Sequence, residues 1–140
     1  YPLFMHERDA HEAFVEILEP HLGSDLKGIV HCFTGDKKVL QRYLDLGLYI
    51  GITGWLCDER RGQDLIEAVK WLPLSRMMIE TDAPYLMPRD LRPRPKSRRN
   101  EPMHLLHIAQ AVARVQKCEL EMVIEETGRN AMDFFGLVET

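Results

Sequence analysis

The 140-residue chain lacks any long hydrophobic run. No stretch approaches the ~20 apolar residues that cross a bilayer, and no membrane partner is expected. No opening segment reads as a signal peptide. Cysteine is scarce: Cys32, Cys57 and Cys118 are scattered and form no C-x-x-C pair. That pattern argues against a disulfide framework and for a reducing, cytoplasmic setting. Positive charge is not in excess; the net charge of −4 gives no global reason to expect a nucleic-acid partner. An initiator methionine is also missing, and Tyr1 leads straight into strand-like sequence, which suggests a piece of something longer. What remains is a globular composition, 45% hydrophobic and 29% charged, sized for one domain.

Apolar runs alternate with helical patterns. "PLFM", "GIVHCF", "LYIGITG" and "MMIE" read as four strands. The first helix is expected after Asp9, with Asp9 as N-cap and Glu12 completing a capping box. The second covers "DKKVLQRYLDLG", with Val39, Leu40, Tyr43 and Leu44 on one face and Gly47 as its stop. A third spans 62–71. Residues 86–99 form a Pro- and Arg-rich loop. A helix follows from "EPMHLL", with Pro102 in its first turn. Two short helices, 119–127 and 129–135, close the chain. Alternating β and α elements imply a parallel sheet covered by helices. Half of a (β/α)₈ barrel fits four such units, and an open flavodoxin-type sheet is the competing architecture.

Three of the apolar runs end in the same unusual way. His6, His31 and Asp82 each close one, although 76 residues separate the first from the last. Parallel strands place their C-terminal ends on one rim, so these side chains should converge there. A lone His at a strand end is more often a hydrogen-bonded structural residue. An Asp before Ala-Pro is more often a turn residue. Three at the same point of successive units favour a shared divalent cation, since two imidazoles and a carboxylate suit Zn²⁺ or Mn²⁺ and a carboxylate suits Mg²⁺. Glu80 should share Asp82's side of the strand. It is expected either to orient a ligand from the second shell or to act as a salt-bridge partner. Cys32 should point the other way, as a small buried apolar residue. His11, His21, His104 and His107 fall in helices and read as surface or packing residues. His104 and His107 could chelate at i, i+3, but their helix lies on the outside.

The segments "PLFMHER", "HCFTG", "YIGITGW" and "IETDAPYL", in this order, resemble the TatD family of metal-dependent deoxyribonucleases, as do "RRNEP" and "RNAMDFFGL". The resemblance runs from Tyr1 to Leu137. It implies a TIM-barrel metallohydrolase, of which residues 1–140 form a single piece, the C-terminal half. It implies His6, His31 and Asp82 as metal ligands, with Asp82 also catalytic. In the full-length enzyme it implies two divalent ions (Mg, Mn or Zn). The family's H-x-H pair and bridging Glu are absent here, so the N-terminal half of the barrel is an expected partner and the isolated chain is expected to be inactive. The implied activity is DNA hydrolysis, 3′–5′ and on single strands. A metallohydrolase of amides or esters and a non-catalytic half-barrel are the alternatives.

Local charge supports a nucleic-acid substrate where net charge does not. The loop 88–99 carries Arg89, Arg92, Arg94, Lys96, Arg98 and Arg99 against Asp90 alone. Arg60 and Arg61 lie on the same rim. These cations suit phosphate contacts, although such runs are often solvated linkers. Trp55 and Tyr85 could stack on unpaired bases, or simply pack the rim. The strands containing "PLFM" and "MMIE" should form open edges, exposing interior residues such as Phe4 and Ile79.

Overall fold

The computed structural model describes residues 1–23 and 26–137. Four strands form one parallel sheet: β1 (Leu3–His6), β2 (Gly28–His31), β3 (Tyr49–Ile52) and β4 (Met77–Ile79). Their order is β1-β2-β3-β4, so each strand lies beside its successor. That order is barrel-like. A flavodoxin sheet would place β1 between β2 and β3, and this excludes the open alternative. As expected from the sequence, β1 and β4 are the edges.

Among the described residues five α-helices pack on the sheet: α1 (His11–Leu18), α2 (Lys37–Asp45), α3 (Gln63–Val69), α4 (Leu105–Gln116) and α5 (Leu120–Phe135). Val30, Ile50, Ile52 and Met77 point to the helices and meet Leu40, Tyr43, Leu65, Ile108 and Val112, all nearly free of solvent. Alternation sends Ile29 and Met78 to the opposite face, where Phe134 covers them beside Tyr49. Phe4 lies exposed, as anticipated. Ile79 does not: it packs against the helix-side core, because the period-2 pleat assigns it there with Met77.

Local chemistry explains the helix ends, with two corrections. In α2, the Asp36 carboxylate accepts from the Val39 N–H at 2.9 Å, and Gly47 leaves the helix at φ +75°. Asp9 does not cap α1. It stands in the left-handed region at φ +54°, and the first free N–H, that of Ala10, is taken by Glu7 Oε1 at 2.6 Å. Glu7 Oε2 accepts from the buried Tyr43 hydroxyl at 3.0 Å, so one glutamate ties the loop after β1 to the core. The expected pair of closing helices is one helix, α5. Val123, Thr127, Asn130 and Phe134 form a continuous buried stripe across Gly128, whose missing side chain faces open space. A glycine costs a helix about 1 kcal/mol, and the packed stripe outweighs it.

Asn130 fixes α5 to the sheet. Its buried amide donates to the carbonyls of Leu74 (2.7 Å) and Met77 (2.8 Å), the entry to β4. Asn130→Leu leaves both carbonyls unpaired. It should cost about 2–4 kcal/mol, read as a lower urea midpoint with an unchanged slope.

Candidate metal rim and basic cavity

The parallel register sets His6 level with His31 on adjacent strands, their ring centroids 5.7 Å apart. Asp82 arrives differently. The strand β4 ends at Ile79, the Glu80 N–H donates once more to Ile52 O, and Asp82 turns back at φ +54°. Its Oδ1 lies 3.5 Å from His31 Nε2. The three predicted side chains therefore gather on one rim, but Asp82 reaches it through a left-handed turn beyond the strand.

Glu80 completes the arrangement. Its Oε2 lies 2.9 Å from His31 Nδ1, a close contact whose geometry falls short of a well-formed hydrogen bond. No other group meets that buried nitrogen among the described residues. Its Oε1 accepts from the Cys32 N–H at 2.6 Å, which Cys32 presents by adopting φ +51°. Glu80 shares His31 with Asp82 because Asp82 curls back, rather than through strand alternation. Glu80 thus stands on the Nδ1 side of the ring and Asp82 on the Nε2 side. Nitrogen and oxygen are donors of the kind divalent cations accept, but His6 stands abreast without its donor atom closing a three-residue cluster within 4.8 Å among the described residues. The Cys32 thiol is buried against Thr53 Oγ1 at 3.5 Å, and burial, more than any neighbour, pushes it up from the ordinary thiol value. Cys32 is buried as the sequence suggested, but its sulfur faces the Thr53 hydroxyl on the rim side instead of joining an apolar cluster.

Two further residues make this possible. Gly51 lies on β3 directly under Glu80: a Cβ there would overlap the Glu80 carboxylate. Asn100 is buried beneath the loop that carries Asp82. Its amide nitrogen donates to Thr81 O and Tyr85 O, both at 2.7 Å, and its Oδ1 accepts from the Glu101 N–H and from His104 Nδ1, both at 2.9 Å. All four side-chain positions are used, and the turn around Asp82 is pinned from both sides. In sequence, both were ordinary strand and loop letters. Only the tertiary approach distinguishes them.

The basic residues separate into two groups. Asp58, almost fully buried, accepts from the Arg60 N–H (3.1 Å) and from Arg61 Nε and Nη2 (3.1 and 3.0 Å), with the Arg60 and Arg89 side chains at 3.8 Å. Burial raises its carboxyl; the Arg60 N–H and the guanidiniums outweigh this and hold it below the ordinary carboxylate value. The Arg61 guanidinium then lies over the Trp55 ring, 4.5 Å from its centroid. So Trp55 has a partner already. Arg94, Lys96, Arg98 and Arg99 have no acidic partner among the described residues. Arg94, Lys96 and Arg98 join Trp55, Arg61 and Arg89 around a cavity of about 600 Å³. The loop backbone at Leu86 and Pro88 crosses directly over Gly54, which brings this cavity against the end of β3. Tyr85 is exposed and Arg99 lies beside Pro84, both outside the cavity. His104 and His107 do not act as a pair: the first serves Asn100, the second Asp90 at 2.7 Å.

The bare backbone of Gly51 is testable by itself. Gly51→Ala should displace Glu80 and release His31 Nδ1. The expected readout is a change in the ¹⁵N shifts of the His31 ring, with the global fold kept by circular dichroism. An unchanged imidazole signal would show that Glu80 does not govern the ring.

The chain matches the family model described as TatD related DNase over residues 1–136. It is 51% identical to a Pantoea ananatis protein and 49% identical to one from Escherichia coli K12, each named 3'-5' ssDNA/RNA exonuclease TatD. Those alignments cover 98% and 97% of this chain but 53% and 52% of the two proteins. The chain spans about half the length of the curated relatives it matches. The TatD-family hydrolase of Entamoeba histolytica superimposes with a TM-score of 0.80 at 25% identity, over 95% of this chain and 50% of that one. The TatD homologue YJJV of Escherichia coli K12 gives 0.84 at 22%, over 98% and 51%. The four-stranded sheet is a partial barrel of this type, and the chain belongs to the TatD-related DNase family.

Proposed function

We propose that this chain forms the C-terminal half of a divalent-metal-dependent nuclease that hydrolyses phosphodiester bonds of single-stranded DNA from the 3′ end. The observation that supports it most directly is the bracketed His31: Glu80 on Nδ1, Asp82 beside Nε2 and His6 abreast. His6, His31 and Asp82 would hold the cation. A bound divalent ion supplies positive charge for phosphoryl oxygens and acidifies a coordinated water.

The chain's own residues do the remaining work. Glu80 keeps the His31 proton away from Nε2, so the ring stays a donor to a cation. Asp82 brings the negative charge that a hard ion requires. Arg94, Lys96 and Arg98 neutralise backbone phosphates in the cavity, while Arg61 and Arg89, held by Asp58, border it and Arg60 stands beside Asp58 outside it. Exposed Tyr85 offers a face for an unpaired base, and Trp55 serves through the Arg61 plane that covers it. A cavity this cationic suits a phosphodiester better than an amide or ester. Three protein donors fall short of two metal ions, so Mg, Mn or Zn in pairs would draw further ligands from the other half of the barrel. The names of the relatives include RNA, and a phosphate-based grip leaves that substrate open to this protein as well.

Asp82→Asn in the full-length protein should abolish most metal-dependent turnover and weaken Mn²⁺ binding by calorimetry, with the melting temperature preserved. Unchanged turnover would remove Asp82 from the site. Neutralising Arg94, Lys96, Arg98 and Arg99 should weaken single-stranded DNA binding at every sequence alike. Each lost phosphate contact should flatten the log–log salt dependence by about 0.7; a constant slope would make the loop a solvated linker.

A further inference from the structure

Cys57, Asp90 and His107 come from three separate segments: the turn after β3, the basic loop and α4. None belongs to the rim of His6, His31 and Asp82. The Cys57 sulfur, an Asp90 oxygen and a His107 ring nitrogen lie within 4.8 Å of one another. His107 Nε2 is 2.7 Å from Asp90 Oδ1, and the other oxygen, Oδ2, faces Arg114 Nη2 at 3.4 Å. Arg114 thereby holds the carboxylate with Oδ1 turned inward. Cys57 is almost fully buried, and Asp90 and His107 are partly so.

We propose that these three side chains form a second cation site, specific for Zn²⁺, that fastens the basic loop to α4. The donor set selects the ion. A thiolate and an imidazole bind Zn²⁺ well and Mg²⁺ or Ca²⁺ poorly. Three protein donors leave the fourth tetrahedral position to water. The metal-free arrangement is the cluster itself, in which the Asp90 carboxylate accepts from His107 and Arg114 with the Cys57 sulfur beside it. On binding, the Cys57 proton leaves to solvent and the His107 proton moves from Nε2 to Nδ1. One proton is released per ion, and both displaced positions become donors to zinc.

The rival use of such residues is a cysteine nucleophile, and the surroundings oppose it. Burial, followed by the Asp90 charge, pushes the Cys57 thiol up to about 12, whereas reactive thiols are exposed and depressed. A cation reverses that balance at its own ligand. The consequence reaches the cavity. Asp90 sits among Pro88, Arg89 and Leu91, all of which line it. Zinc would therefore set the shape of the phosphate-binding loop without touching the reacting bond. This site does not depend on the nuclease reading, since it shares no residue with the rim.

Cobalt(II) substitution tests it. The full-length protein, stripped with chelator, is titrated with Co²⁺ and then with Zn²⁺. A thiolate ligand gives a charge-transfer band in the near ultraviolet, which the sulfur-free rim set cannot give. The band should appear, be displaced by stoichiometric Zn²⁺, vanish in Cys57→Ser and persist in Cys32→Ser and Cys118→Ser. His107→Gln, at a partly exposed position, should shift the titration to higher cobalt and gives a second reading if Cys57→Ser does not fold. No band, or a band that Cys57→Ser or His107→Gln leaves unaltered, would overturn the proposal.

Discussion

Glu80 is the residue on which the rim depends. One carboxylate reaches across bare backbone at Gly51 to meet His31 Nδ1 with one oxygen and the Cys32 N–H with the other. It thus links β2, β3 and β4 at the level where the strands end. A half-buried acid needs such partners, since an unpaired charge here would cost several kcal/mol. The partners are supplied by distortion nearby. Cys32 and Asp82 both accept the left-handed region, where a side chain is disfavoured by roughly 1–2 kcal/mol. The rim holds its geometry because the loop below is pinned by Asn100, whose four hydrogen-bonding positions are all taken.

A second buried acid orders the cationic side of the site. Asp58 gathers the Arg60 N–H and three guanidiniums, and it fixes Arg61 over Trp55. The turn carrying Arg60 and Arg61 and the basic loop 88–99 would repel one another if left free. With Asp58 neutralising part of that charge, the loop carrying Arg94, Lys96 and Arg98 can close over Gly54 and leave a cavity instead of a disordered cationic fringe. The positive potential is then presented by residues without local partners, which is where an incoming phosphate gains most.

Much of this was legible in the sequence. The four apolar runs became the four strands, and the strand-end position of His6 and His31 followed from them directly. Asp82 was legible as a residue but not in its route, because a run of letters does not reveal a turn with positive φ. The acid Asp58 in "CDERRG" carries no signal in the sequence, and only its burial makes it an organiser. Gly128 looked like a helix break, and tertiary packing overrode it. Asp9 looked like a cap, but it stands in the left-handed region and the helix starts one residue later, at His11. His107 read as an outer-face residue, since nothing in its helix announces Asp90 from a loop 17 positions earlier. The misses at His107 and Gly128 arose from partners distant in sequence, those at Asp9, Asp58 and Asp82 from local backbone conformation and burial.

The open sheet connects these local facts to the whole family. On β1, Phe4 is exposed beside His31, and an aromatic series leads from it through Phe135 to Phe134 and Tyr49. Phe4 and Tyr49 lie on the face away from the helix-side core, met there by Phe134 and Phe135 from the end of α5; it is the face that becomes the interior when such a sheet closes. The same face carries His6 and His31. So the apolar residues that would be covered by closure and the donors that would meet a metal belong to one surface, at successive levels of the same strands. Closure would desolvate the aromatic level and strengthen the electrostatics of the level above it, because charges interact more strongly where water is excluded. In this architecture the packing of the barrel interior and the affinity of the rim for a cation are therefore expected to rise and fall together.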